Sequence, residues 1–211
     1  MNLKLLHIFL LSTGGTLLLC TPLIHTTELV NGLVIGKMCW FHLVMLFFSV
    51  CVFFVALTKR ATAIAFSSSD LLLLTFTGIV LITYKWSLNP EPEKLIFTGQ
   101  LVILWFLLRY ILTAYREFNF FFLFVGMLTG LVEAVWGMQQ LHGYAYSNHS
   151  LFRLTGSFFN PGPYCGYLAV VLPVCLWAAL KFQKGMHYFA WICAGAILIV
   201  LPAGMSRSAW M

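Results

Sequence analysis

The stretch with the densest chemistry is "RLTGSFFNPGPYCGYL", residues 153–168. Arg153 carries a permanent charge on a planar fork that matches phosphate oxygens two at a time. Asn160 before Pro161 favours a turn. Pro163 can open the following helix, where its missing N–H costs nothing. A helix start of this kind offers free N–H groups and a positive dipole end, and both attract anions. The segment therefore suits phosphate binding, although the same residues could form a plain helix start beside an incidental arginine. A second arginine, Arg207, stands between Ser206 and Ser208 in "LPAGMSRSAWM". Two arginines at one surface could clamp a diphosphate, whereas either alone could anchor a helix among lipid headgroups.

Glu133 lies in the apolar run "GLVEAVWGMQQLHGY". An ionised carboxylate within a membrane is costly unless it is paired or faces water. Trp136, Gly137 and Gln140 follow at i+3, i+4 and i+7, on one helical face. That face climbs toward a segment bearing His142, His149 and Arg153. Two readings of Glu133 stand: a cavity wall whose acid positions an arginine, or a structural ion pair between helices. Arg109 reads as a side chain snorkelling to the headgroups. His142 and His149 read as solvated loop histidines, and the glycosylation pattern at Asn148 is too common to carry weight. The six cysteines form no C-x-x-C, and Cys20 and Cys39 read as free thiols rather than a bridge. The histidines are scattered, so no metal site is expected and no cofactor is implied.

These residues must be positioned by elements that lie in lipid. The chain of 211 residues is 61% hydrophobic and 9% charged, with mean hydropathy +0.93. A soluble domain carries about a quarter charged residues. The long apolar runs predict an all-α, polytopic membrane helix bundle rather than a β-barrel. Seven candidate transmembrane helices fall near 3–24, 38–57, 64–84, 95–114, 118–141, 163–181 and 186–204. The third opens with the polar "SSSD" and is the weakest. Linkers are short and no repeat appears, so residues 1–211 read as one integral-membrane domain. The first span reads as uncleaved, because Leu19 precedes Cys20 where a lipoprotein site needs a small residue. With the N-terminus cytoplasmic, Lys4, Lys59, Arg60, Arg109, Arg116, Lys181 and Lys184 lie inside. Lys37, Lys85, Lys94, Arg153 and Arg207 then lie outside. The net charge of +6 is spread over both faces, and no basic run suggests nucleic acid.

The Arg153 segment, with "GMSRSAWM" about forty residues later, resembles the bacterial O-antigen ligase family, which includes O-antigen polymerases and protein O-oligosaccharyltransferases. The family pattern is an arginine, Thr-Gly, an aromatic stretch, Asn-Pro, then Gly-Tyr-Leu, followed by Ser-Arg-Gly-Ala-Trp. Here Ser208 stands where glycine is common, and Gly162–Pro163 where asparagine often follows the proline. The two elements cover about 60 residues of the chain. The resemblance implies a GT-C-type membrane glycosyltransferase of lipopolysaccharide or polysaccharide biosynthesis. Its donor would be a glycan on polyprenyl (undecaprenyl) diphosphate. Its acceptor would be a lipid or glycan on the periplasmic face of the inner membrane. Arg153 and Arg207 would bind the diphosphate, with Glu133, Asn160 and Ser206 in support. The family's catalytic histidine lies in a loop after Ser-Arg-Gly-Ala-Trp, so it is expected beyond Met211, in a chain that reads as the front part of such a protein, inactive alone. Asp70 is the one aspartate in the chain, so a metal-holding D-x-D motif cannot form. Any sugar transfer would use cationic side chains to stabilise the departing diphosphate. A transporter or channel component, with Glu133 and the arginines along a polar path, is the competing expectation. The receptor-like "NPGPY" precedes the sixth span instead of ending the seventh, which sets a seven-span receptor aside.

Overall fold

The computed structural model describes residues 3–26, 32–59 and 65–204. The described residues form seven α-helices and no strand. The helices are α1 (Leu3–Leu19), α2 (Gly32–Thr58), α3 (Ser68–Lys85), α4 (Pro92–Ala114), α5 (Glu117–Leu141), α6 (Pro161–Lys181) and α7 (Gly185–Val200). Short 3-10 turns follow α1 at Thr21–Leu23 and α7 at Leu201–Gly204. Six helical stretches are long and apolar enough to cross a membrane. The all-α, multi-pass architecture expected from the sequence is therefore what the chain has.

The boundaries follow local chemistry. α1 stops at Leu19, short of the expected residue 24, because Pro22 cannot continue a helix. Its 17 residues rise about 25 Å, less than the roughly 30 Å hydrocarbon core. α4 starts at Pro92, three residues earlier than expected, with proline in its favoured first turn. α6 also starts earlier than expected, at Pro161 with Asn160 as N-cap. The Asn-Pro pair is thus the helix start itself, and Pro163 sits in the first turn.

The fold divides into two compact units. One comprises Met1–Leu11 and Met45–Asn119, the other Ser12–Val44 and Phe120–Met211. In the first, α3 and α4 pair, and polar residues pin them together. Asp70 is buried and accepts hydrogen bonds from Trp105 Nε1 (2.8 Å), the Ser67 N–H (2.8 Å) and the Ser67 hydroxyl (3.0 Å). It also forms an ion pair with Arg109. Arg109 further donates to Ser67 Oγ (3.1 Å) and the Ala65 carbonyl (3.0 Å). This corrects the snorkelling expectation: the guanidinium partners are protein groups. It also explains "SSSD", in which Ser67 and Asp70 form the start of α3 rather than a flaw in the span. Elsewhere in this unit the Lys59 ammonium donates to the Ala114 carbonyl at the end of α4 (2.5 Å) and lies 3.9 Å above the Tyr115 ring. A cation there satisfies a terminal carbonyl and opposes the negative dipole end. His7 bridges the Tyr115 and Thr58 hydroxyls at 2.8 and 2.7 Å.

In the second unit α6 and α7 pack as a hairpin. Cys165, Leu168, Val171, Cys175 and Ala178 on α6 recur every three or four residues, as do Ala190, Cys193, Ala194, Ile197 and Val200 on α7, and all are buried. The small ones among them, Cys175 and Ala178 on α6 and Ala190, Cys193 and Ala194 on α7, let the helices approach closely, a usual source of attraction between helices in lipid. Lys184, in the left-handed region at φ 56°, makes the reversal. His187 donates to the Ala179 carbonyl (2.6 Å) near the end of α6.

Asp70→Asn or Arg109→Gln leaves the remaining partner without its counter-charge, so each lowers the detergent-solubilised protein's melting temperature. The exchange Asp70→Arg with Arg109→Asp recovers part of that loss. No drop from either single variant, read by a thermal unfolding scan, would show that the pair contributes nothing.

Candidate functional site

The site is built on the last two turns of α5. Its face presents Glu133, Trp136, Gly137 and Gln140, as the helical spacing predicts. After α5 the chain runs through residues 142–160 without regular helix. Backbone groups there need partners from side chains.

Gln140 is buried and supplies four of them. Its Oε1 accepts the Thr155 and Gly156 N–H groups at 2.9 and 2.8 Å. Its Nε2 donates to the Tyr146 and Gly156 carbonyls, both at 3.0 Å. Asn148 adds a second pin, donating from Nδ2 to the Gly156 and Phe158 carbonyls at 3.0 Å each. Asn148 Oδ1 accepts from His25 Nε2 (3.1 Å), and His25 lies 5.5 Å from the Trp136 ring. The Asn148 amide is therefore a structural group, not a free glycosylation acceptor.

Glu133 is fully buried. Its Oε2 accepts the Ser157 N–H at 3.1 Å. Ser157 in turn donates its hydroxyl to the Pro22 carbonyl (2.5 Å). The Lys37 ammonium donates to Ser157 Oγ (2.9 Å), to the Ile24 carbonyl (2.6 Å) and to the Pro22 carbonyl, and lies 4.6 Å from the Phe158 ring centroid. The expectation that Glu133 positions an arginine is corrected. Its hydrogen bond goes to loop backbone, and the cation behind that contact is Lys37, reached through Ser157.

Tyr164, fully buried on α6, wedges this assembly together. Its hydroxyl donates to the Glu133 carbonyl at 3.1 Å. A methyl group on Gly137 would overlap that hydroxyl, and one on Gly156 would overlap the ring and Glu133 Oε2. Gly156 also has φ 55°, a left-handed conformation that disfavours side chains.

Arg153 is exposed on this pinned segment, and among the described residues it has no hydrogen-bond or ion-pair partner. It lines a cleft of about 360 Å³ with Leu141, Leu151, Phe152, Leu154, Pro161, Ala203 and Gly204. The lining is apolar apart from the guanidinium. Gly204 packs so tightly on Cys165 that a Cβ would overlap its sulfur.

Of the residues expected at the site, Arg153 lines this cleft. Glu133 is fully buried and is not among the residues that line it. Asn160 caps α6 without a side-chain cap bond and lines a separate groove of about 220 Å³ with Leu33, Val34, Lys37 and Met38. Ser206 and Arg207 lie outside the described residues. The donor-rich helix start expected here is reduced. Pro161 and Pro163 remove two of the four N–H groups that a helix start normally leaves free, so positive charge at this end rests chiefly on Arg153. His142 donates to the Met138 carbonyl (2.9 Å). His149 accepts the Leu151 N–H (3.0 Å) and stacks near Phe152 and Phe159. Lys37, Asn148 and Tyr164 were missed as parts of the assembly. An Asn between two turn-forming segments was the available signal for Asn148; none marked Lys37. No protein family, characterised protein or solved structure matches the chain.

Gly156→Ala forces a side chain into the left-handed region and onto Tyr164. The first effect alone costs about 1–2 kcal/mol. The variant should unfold at a lower temperature or denaturant concentration than the parent, by more than Gly143→Ala, where a Cβ meets open space. Equal losses at the two glycines would contradict the packing described.

Proposed function

We propose that this chain is a membrane glycosyltransferase component of the O-antigen ligase type, in which Arg153 and Arg207 grip the diphosphate of a polyprenyl-linked glycan donor at the periplasmic face of a bacterial inner membrane. The observation that carries this reading is the Arg153 cleft: a guanidinium with no partner among the described residues, among otherwise apolar lining side chains. That chemistry suits an anionic headgroup joined to a hydrocarbon chain. Gly204, three residues before Arg207, lines the same cleft. Arg207 thus follows a cleft-lining residue closely in the sequence. The order of the Arg153 and Arg207 elements along the chain adds the motif resemblance. A departing diphosphate would be stabilised by these cations.

The transporter reading has less support. It needs Glu133 along a polar path, but Glu133 is enclosed by Ser157, Tyr164 and Gly156. Arg109 is held by Asp70 and Ser67. Both groups serve as pins.

Arg153→Ala and Arg207→Ala should each weaken binding of an undecaprenyl-diphosphate-linked glycan to protein in nanodiscs by about tenfold or more, since a hydrogen bond to a charged group contributes about 1.5–3 kcal/mol. Melting temperatures should stay near the parent value. Unchanged affinity in both variants would overturn the proposal.

A further inference from the structure

We infer that Gln140 is a positioning residue for Arg153: its carboxamide closes the base of the segment carrying the guanidinium and so fixes where an anion is held. This rests on the reading of Arg153 as a diphosphate ligand. The argument starts from the bonding. One side chain holds backbone at both ends of the segment, Tyr146 before it and Thr155–Gly156 after it. All four hydrogen-bonding positions of the carboxamide are used on that segment, counting both to Gly156. Arg153 is two residues from Thr155, too near for the guanidinium's base to move while Thr155 stays pinned. Short-range contacts inside the segment stiffen it further. The Asn148 N–H donates to Thr155 Oγ1 (3.2 Å), Ser147 donates to the Phe152 carbonyl, and the Phe158 N–H donates to the Thr155 carbonyl (3.0 Å).

The arrangement is selective in what it leaves free. Ser147, Thr155 and the Asn148 amide nitrogen bond within the segment itself, while Asn148 Oδ1 is taken by His25 and the Ser157 hydroxyl by Pro22 and Lys37. Among the described side chains that line the cleft, the arginine is the one with polar donors, and none of them has a partner there. A loop held this way loses little further conformational freedom when an anion binds, so the guanidinium's hydrogen bonds are not offset by ordering the loop. Removing the carboxamide frees Arg153 to sample other positions, and affinity for the anion falls, while the wall residues outside the segment, Leu141, Pro161, Ala203 and Gly204, stay.

The test uses the full chain in nanodiscs, with farnesyl diphosphate as the charged probe and farnesol as its uncharged counterpart. Gln140→Met removes the hydrogen bonds at similar volume, and Gln140→Glu keeps an acceptor for the Thr155 and Gly156 N–H groups if the methionine variant does not fold. Expected is a severalfold to tenfold loss of farnesyl diphosphate affinity with a clearly smaller change in farnesol binding. The loss should vanish in the Arg153→Ala background, because a residue acting through Arg153 has nothing left to position. Equal weakening of both probes, or an additive loss with Arg153→Ala, would overturn the inference. A nitroxide at Arg153→Cys, in a Cys20→Ser and Cys39→Ser background, reads position without any ligand. Its spectrum should show greater mobility on Gln140→Met, and no change would also overturn the inference. If Arg153→Ala leaves farnesyl diphosphate binding intact while the nitroxide mobility rises, the pin stands and the diphosphate reading fails.

Discussion

Irregular backbone beside apolar helices cannot leave its N–H and C=O groups unmet. In residues 142–160 that constraint is satisfied chiefly by side chains from α5 and from the segment itself. Gln140, Asn148 and Glu133 together meet the N–H groups of residues 155–157 and the carbonyls of residues 146, 156 and 158. Without them the N–H groups of the buried residues 155–157 would lack partners, at a cost of about 1–3 kcal/mol each. The glycines follow from the same demand. Gly137 and Gly156 make room for Tyr164, whose hydroxyl reaches the Glu133 carbonyl, so the loop, α5 and α6 share one polar joint.

The joint also accounts for the charges. Glu133 and Lys37 are both drawn into the second unit's interior, yet they meet through Ser157 rather than as a direct pair. In the first unit, by contrast, Asp70 and Arg109 touch directly and share Ser67. Two buried acids thus have two different solutions. A single removal at either site exposes a buried charge or backbone group, which is why neither acid suits a path that must open to solvent. Arg153 differs from these pinned groups: it is exposed and has no hydrogen-bond or ion-pair partner among the described residues.

Much of this was legible in the residues. The polar face of α5 is a matter of spacing, since Glu133, Gly137 and Gln140 fall one or two turns apart. The helical hairpin of α6 and α7 is foreshadowed by the small residues every three or four positions. The Asp70–Arg109 pair was also open to reading. Two antiparallel helices joined at residues 86–91 bring position 70 level with position 109, but lone charges near helix ends look alike whether they face lipid headgroups or each other. The start of α6 was misplaced because Asn-Pro is both a turn signal and an N-cap followed by its favoured first residue. Lys37 gave no local signal, as its partners at Pro22, Ile24 and Ser157 are fixed by tertiary packing and lie up to 120 positions away.

The central physical claim is that a non-helical segment is held as firmly as a helix by two carboxamides, Gln140 and Asn148, and one carboxylate, Glu133. Amide hydrogen exchange on the protein in nanodiscs tests it most directly. The account predicts that the Thr155, Gly156 and Ser157 amides exchange as slowly as those of neighbouring α5, while Arg153 exchanges quickly. Uniformly fast exchange from residue 150 through 158 would contradict it.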